Sequence, residues 1–253
     1  MINVIINGAN GKMGKTVAGL IDTMPDFSVC AGVDVYTNQY GDFPIVESPR
    51  LIPDGGDVII DFSNPAALLD LLPYAMEKKI PVVVCTTGLG NEHKSLLEAA
   101  SREIPVFFSA NMSLGISLIT ELAKKATAIL GDGFDIEIIE KHHHRKLDAP
   151  SGTAMAIADA ISEAASDTKE YVYDRHSVRR PRGKQEIGIH AVRGGTIVGE
   201  HTVLFAGQDE VIEISHSAGS RDIFGVGAIR AAAFLLDKPA GMYAMRDLVA
   251  ATE

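Results

Sequence analysis

Residues 2–34 read INVIINGANGKMGKTVAGLIDTMPDFSVCAGVD, and the order of features in this stretch decides the fold. A β-branched run, Asn3 to Asn7, leads directly into Gly8-Ala9-Asn10-Gly11-Lys12-Met13-Gly14. A helical pattern follows from Lys12 to Asp22, and a second strand-like run, Ser28 to Asp34, ends on a carboxylate. In a dinucleotide-binding βαβ unit each glycine has its own task. One makes the tight turn, one lets backbone approach a pyrophosphate, and one lets helix and strand pack closely, while the helix N-terminus offers unpaired N–H groups to phosphate. The acid about 20 residues beyond the loop accepts hydrogen bonds from ribose hydroxyls. The spacing G-x-x-G-x-x-G departs from the commonest form, so the loop alone also reads as an ordinary strand-to-helix turn. The ordered set of strand, glycines, helix, strand and acid favours the nucleotide.

Outward from this unit, strand-like runs recur at Asp57 to Phe62, Pro81 to Cys85 and Pro105 to Ser109, with helical periodicity at Pro65 to Lys79 and Asn91 to Glu103. Alternation of this kind predicts an α/β domain with a Rossmann-like parallel sheet. Ligands of such sheets bind at the carboxyl ends of the strands, so Cys85-Thr86-Thr87 and Ser109-Ala110-Asn111-Met112 are candidates for a nicotinamide pocket. After Gly115 the pattern changes. An amphipathic helix, Ile116 to Leu130, precedes a strand from Phe134 to Lys141, and Ser151 is placed to cap a helix running to about Glu163. Three strand-like segments follow without helices between them, at Gln185 to Val192, Thr196 to Phe205 and Val211 to Ser217. This predicts an α+β domain with a mixed or antiparallel sheet, one face of which is available to other subunits. A final Ala- and Gly-rich helix, Arg221 to Leu236, returns to cover the first domain. The expected boundaries are 1–113 and 221–253 for the dinucleotide-binding domain and 114–220 for the second, with hinges near Ser113 to Gly115 and at Ser220.

The 253 residues carry a formal net charge of −10, which repels a polyanion over most of the surface and argues against nucleic acid as a partner. Basic residues concentrate at Lys141 to Lys146 and at Arg179, Arg180, Arg182 and Lys184; the second group reads as a solvated flexible loop. Cys30 and Cys85 sit in separate apolar runs and read as buried free thiols of a reducing compartment. No leader-like segment opens the chain and no apolar run approaches the roughly 20 residues that span a bilayer, so the expectation is a cytoplasmic protein with no membrane partner. Asp34 repels the 2′-phosphate of NADPH, and Val35-Tyr36 brings no arginine to neutralise it. NADH is therefore expected to serve at least as well as NADPH.

The chemistry concentrates in Glu140-Lys-His142-His143-His144-Arg-Lys146-Leu-Asp-Ala-Pro150-Ser151-Gly152-Thr153. Three histidines invite a metal, but alternate strand residues face opposite ways, no cysteine is near, and flanking cations oppose a divalent ion. The preferred reading has no metal: a histidine poised to exchange a proton near neutral pH, a lysine beside it, and a helix N-terminus that grips a carboxylate. A merely solvated basic loop is the plain alternative.

Glu140 to Ala154 spells E-x-H-H-x-x-K-x-D-A-P-S-G-T-A. With the G-x-x-G-x-M-G loop, the T-T-G segment, VGEHTV at Val198 to Val203 and MRDL at Met245 to Leu248, it closely resembles the dihydrodipicolinate reductase family over nearly the whole chain. The resemblance implies a Rossmann-like domain completed by the C-terminal helix and a central domain that binds substrate and builds a homotetramer. It implies NAD(P)H-dependent reduction of a cyclic unsaturated amino-dicarboxylate, derived from dihydrodipicolinate, in lysine biosynthesis by the diaminopimelate route. By position, His142 is the implied proton donor and acceptor, Lys146 the proton donor, and His143, Gly152 and Thr153 the substrate contacts. Gly8, Ala9, Asn10, Gly11, Lys12, Met13, Asp34, Cys85 to Thr87 and Ser109 to Met112 are the implied nucleotide contacts. The chain departs from the family pattern at Cys85, where Gly is usual, at Met112, where Phe is frequent, and by the third histidine, His144. Counting back from Lys146 makes His142-His143 the reacting pair. Two rivals stand beside this reading: another small Rossmann reductase acting on simpler acids, and a non-catalytic NAD(H)-sensing regulator.

Overall fold

The computed structural model describes residues 1–53 and 55–251; the last two residues of the expected 221–253 segment lie outside them. By internal contacts the chain divides into two compact units, Met1–Leu114 with the chain from Asp222 onward, and Gly115–Arg221. In chain order the elements are β1 (Ile2–Asn7), α1 (Lys12–Ile21), β2 (Phe27–Val33), β3 (Ile45–Val46), β4 (Val58–Asp61), α2 (Leu68–Lys78), β5 (Val82–Val84), α3 (Asn91–Ser101), β6 (Pro105–Phe108) and α4 (Leu114–Leu130). There follow β7 (Asp135–His142), α5 (Gly152–Ala164), β8 (Glu170–Val172), β9 (Glu186–Arg193), β10 (Gly199–Ala206), β11 (Val211–Ala218), α6 (Asp222–Leu235), β12 (Gly241–Tyr243) and α7 (Met245–Ala250).

The first unit is a seven-stranded sheet in the order β12-β6-β5-β4-β1-β2-β3, with parallel pairing throughout. Its central strands are apolar along their length, VII before the terminal Asp61 in β4 and VVV in β5, because both faces are covered. One apolar layer joins Val4, Ile6, Val58 and Ile60 to Val17 and Ile21 of α1 and to Ala228, Ala232 and Leu235 of α6. The opposite layer joins Ile5, Ile59 and Val82 to Leu71, Leu72 and Leu97 of α2 and α3. Two glycines let α6 sit close: a Cβ on Gly225 would meet Leu20 at 2.7 Å, and one on Gly227 would overlap the Met112 carbonyl. The chain reverses its direction of travel across the sheet between β1 and β4, so the carboxyl ends of these neighbours frame the switch point where open α/β sheets bind ligands.

The second unit is a five-stranded mixed sheet, β11-β10-β7-β9-β8. β10 runs antiparallel to β7 and β11, whereas β9 runs parallel to β7 and β8. α4 and α5 cover one face through Ile119, Ala123, Ile157 and Ile161, packed on Ile136, Ile138, Ile189, Val203 and Phe205. Along β7 exposure alternates, with Ile136, Ile138, Glu140 and His142 inward. No helix among the described residues is long and apolar enough to cross a membrane.

Two expectations need correction. The basic segment is a loop, but it is not freely solvated. Arg182 reaches Glu137 and Asp135, each at 2.9 Å, and donates to the carbonyls of Ile136 and Glu186; Arg180 pairs with the buried Glu186 at 3.0 Å. Acidic residues on β7 and at the start of β9 supply these partners, and they lie too far away in sequence to be foreseen. Cys30 is only half-buried, its Sγ against the Gly55 carbonyl at 3.1 Å, whereas Cys85 is buried; both are free thiols. Burial holds both thiols above their ordinary range, so neither is a ready nucleophile.

Candidate active site

In the first unit the turn after β1 is built on Gly8, whose φ of +81° is one an L side chain rarely adopts; a Cβ there would also meet the Phe62 carbonyl oxygen at 2.7 Å. Gly14 lets α1 dock beneath that turn, because a Cβ would overlap the Gly8 carbonyl and come within 2.8 Å of Ala9 Cα. Gly11, at the N-cap of α1, brings no side chain to the helix N-terminus. Asp34, directly after β2, accepts from the Asn10 N–H at 2.9 Å and the Tyr36 N–H at 3.0 Å, so the carboxylate is held beside the glycine turn. A crevice of about 330 Å³ is bordered by Gly8, Gly11, Asp34 and Ser63. A second, of about 270 Å³, is bordered by Met13, Cys85, Thr86, Thr87, Ala110 and Met112; Phe62 and Ser63 line both. Bare backbone at Gly8, a helix start without a side-chain cap, and a fixed acid at the end of β2 fit a dinucleotide.

The other residues expected at the nucleotide lie in the glycine turn, in the first turn of α1 and in the loop after β6. Ala9 is wholly buried, its N–H given to the Val33 carbonyl and its own carbonyl taken by Tyr40 Oη–H, so it shapes the turn from beneath. Asn10 ties the turn to the segment after β2 through the carbonyls of Tyr36 and Asn38. Lys12 points outward from the first turn of α1. Ser109 and Asn111 brace their own loop: Ser109 Oγ donates to the Asn111 carbonyl, and Asn111 Oδ1 accepts from the Ser113 N–H.

Sequence reading missed Asp61, at the end of β4. Fully buried, it accepts from Asn7 Nδ2 at 2.7 Å, from Ser63 Oγ and from Thr86 Oγ1 at 2.7 Å. Burial pushes its carboxyl up, against the pull of these donors. The effect is a brace that holds three strand ends in register around the switch point.

In the second unit the inward face of β7 ends in polar residues. Glu140 has no exposed surface, and its two oxygens accept from Arg193 Nη1 and Nη2, each at 2.7 Å, from the Ser151 N–H at 3.0 Å and from His142 Nδ1 at 2.6 Å. Burial alone would raise this carboxyl, but donors from Arg193, His142 and Ser151 outweigh it and hold it below the ordinary range. His142 is buried on this carboxylate, and Gly199 of β10 leaves room for its other nitrogen: a Cβ there would stand 3.1 Å from Nε2. Ser151 caps α5, accepting from the Ala154 N–H at 3.1 Å, and its Oγ also meets His201 Nε2 at 3.0 Å. The His201 ring lies edge-on to His142 with centroids 5.2 Å apart. Burial and the neighbouring His142 push His201 down to about 4.

Beyond β7 the chain turns, and the turn closes with the Lys146 N–H on the His143 carbonyl. Lys146 Nζ pairs with Asp148 at 2.9 Å; the Asp148 carboxyl lies below its ordinary range, chiefly through Lys146 and also through the Gly152 N–H at the head of α5. One carboxylate of the chain thus already sits between the lysine and the first turn of α5, where the sequence placed an anion site. His143 is half-buried, with Nδ1 lacking a partner, whereas His144 is exposed. Thr153 follows Gly152 in the first turn of α5. The structure therefore gathers His142, Lys146, Gly152 and Thr153 around one strand end, and adds Glu140, Arg193 and His201.

A doubly wound parallel sheet with a dinucleotide-type turn, joined in one chain to a mixed sheet bearing a histidine-lysine site, defines a two-unit oxidoreductase of the nicotinamide-dependent class. The chain belongs to the dihydrodipicolinate reductase family: residues 2–112 match the model for the N-terminus of dihydrodipicolinate reductase and residues 115–249 the model for its C-terminus. It is 55% identical over 249 residues to the 4-hydroxy-tetrahydrodipicolinate reductase of Caldanaerobacter subterraneus subsp. tengcongensis, covering 98% of each chain. It is 47% identical to the enzyme of that name from Clostridium tetani, over 97% of this chain and 96% of the other. In fold it is similar to a dipicolinate-bound dihydrodipicolinate reductase from Paenisporosarcina sp. TG-14, with a TM-score of 0.80 at 24% identity, covering 96% and 97% of the two chains.

Proposed function

We propose that this chain catalyses the NAD(P)H-dependent reduction of 4-hydroxy-tetrahydrodipicolinate to tetrahydrodipicolinate with loss of water, on the diaminopimelate route to lysine. The observation that carries the reading is the end of β7, where a buried imidazole on a carboxylate, a lysine and the first turn of a helix meet. Such a site suits a ring bearing carboxylates next to a nitrogen that takes up a proton. A simple hydroxyacid has no use for it, and a regulator that only senses NAD(H) has no use for a poised proton carrier.

Gly8, Gly11, Met13 and Asp34 would hold the dinucleotide, with Cys85 to Thr87, Ala110 and Met112 around its nicotinamide end. When bound, a reduced nicotinamide would supply the hydride that C4 of the substrate ring takes up once the hydroxyl there has left as water. Gly152 and Thr153 N–H groups hold one substrate carboxylate, taking the place of Asp148, and His143 orients the ring. With Nδ1 committed to Glu140, His142 exchanges protons through Nε2. Lys146 and His142 deliver a proton as negative charge develops on the ring nitrogen, a role typically worth about 10²–10⁴ in rate.

Asp34 and the exposed Val35 and Tyr36 support NADH as at least an equal partner to NADPH. We place the enzyme in the cytoplasm as a homotetramer. The sheet face of the second unit opposite its helices carries Ile139, Leu204 and the 46% exposed Val192, which supports self-association there; equilibrium sedimentation giving a monomer mass would remove that part. The activity is tested by generating the substrate in place with the preceding condensation and following reduced-nicotinamide absorbance. Substrate-dependent loss with either nucleotide supports the reading. Tight NADH binding without such loss favours the sensing regulator, and loss with 2-hydroxy acids alone favours another reductase.

A further inference from the structure

Glu140 enters the steps above only as the partner of His142 Nδ1, yet four N–H groups converge on its two oxygens. An ionised carboxylate inside a core is costly even when paired, and an apolar pair of like volume would serve folding as well or better. What distinguishes this pair is what it holds. Arg193, on β9, approaches with both terminal nitrogens, and its Nη2 also donates to the Asp148 carbonyl at 2.6 Å, so the segment from β7 to α5 is tied to a neighbouring strand. An ionised carboxylate only accepts, and the guanidinium keeps Glu140 ionised, so the hydrogen at 2.6 Å belongs to His142 Nδ1 whether the imidazole is neutral or charged.

We propose that Glu140, clamped by Arg193, is a positioning residue that locks His142 as the Nδ1–H tautomer with Nε2 presented for proton exchange, and that sets the first turn of α5 relative to that imidazole through the Ser151 N–H. The proposal rests on the reading of His142 as the proton carrier. The charged and titratable groups around His142 are Glu140 on its own strand, Arg193 on β9, His201 on β10, and His143 and Lys146 in the following turn; Glu140 is the anion in direct contact. Losing its charge removes the attraction that favours the imidazolium.

The test uses the full chain and Glu140→Gln, which keeps the volume but replaces one acceptor oxygen by a donor. We expect kcat to fall on the order of 10–100-fold, with NADH affinity unchanged and the limb of the kcat pH profile set by His142 moved to lower pH. Glu140→Asp, which keeps the charge, restores the position of the limb. A purely structural role would lower stability and leave the limb where it was. Histidine ¹⁵N–¹H correlation spectra of the parent supply a readout independent of turnover and of whether the variant folds: His142 at alkaline pH is expected as Nδ1–H with a strongly downfield proton. A parent spectrum with His142 as Nε2–H, or a folded Glu140→Gln with parental kcat and limb, overturns the proposal. A locked Nδ1–H tautomer in a parent that does not turn the compound over overturns the functional reading and leaves the tautomer standing.

Discussion

His201 shows most directly how single residues trade stability for arrangement. Its folded pKa of about 4 lies below the ordinary 6.5, so the unfolded chain takes up this proton first as pH falls. The stabilisation is complete above 6.5 and is lost progressively between 6.5 and about 4, a loss on the order of 3 kcal/mol. Urea denaturation across that window should show the slope, and His201→Gln should flatten it; equal slopes in parent and variant would contradict the assignment. For Lys146→Ala we expect turnover to fall about 10²–10⁴-fold while NADH affinity, measured by fluorescence titration, stays put; near-normal turnover would remove Lys146 from the chemistry. His142 and Lys146 were legible because they crowd one short segment. Arg193 was not, since its bond to Glu140 spans 53 residues. A signal for Glu140 was present but easily passed over. Asp135 and Glu137 face outward, so strict alternation turns Ile139 out and Glu140 in, an inversion of the expected pattern that marks a buried charge.

Among elements, those with strong periodicity were legible and those fixed by neighbours were not. β1, β2, β4, β5 and β6 are apolar runs between turn residues, whereas β3 and β12 have two and three residues and exist because an edge of the sheet offers them partners. The expected helix from Pro65 begins as a 3₁₀ turn, capped by Asn64, before α2 starts at Leu68. Two substitutions test the elements that carry the sites. Gly14→Ala should push α1 off the glycine turn, costing about 1–3 kcal/mol and weakening NADH binding; a thermal melt and a titration matching the parent would refute the packing argument. Ser151→Ala removes the cap of α5, worth about 1 kcal/mol, and strips His201 Nε2 of its partner. Stability should drop accordingly and KM for the substrate should rise; an unchanged KM would mean that the first turn of α5 does not hold the substrate.

At the scale of the whole chain, the proposed reaction draws on both units, on one for the nucleotide and on the other for proton transfer. Variants should therefore separate cleanly, with Gly14→Ala read in cofactor affinity and Lys146→Ala in turnover. The ratio of kcat/KM for NADH to that for NADPH should be one or greater, because Asp34 opposes a 2′-phosphate; a preference for NADPH of roughly a hundredfold, about 2.7 kcal/mol, would refute that argument. The class of the first sheet, the mixed character of the second and the family were all legible from glycines, periodicity and one hairpin. Strand order and the buried polar braces at Asp61 and Glu140 were not, because they depend on which distant segments meet. The most direct test of the account is isotopic: reduce the enzymatically generated substrate with NADH carrying deuterium at both C4 positions of its nicotinamide. The account predicts deuterium on C4 of the product ring, formed at a rate that collapses in Lys146→Ala; unlabelled product, or NADH bound but never consumed, would contradict it.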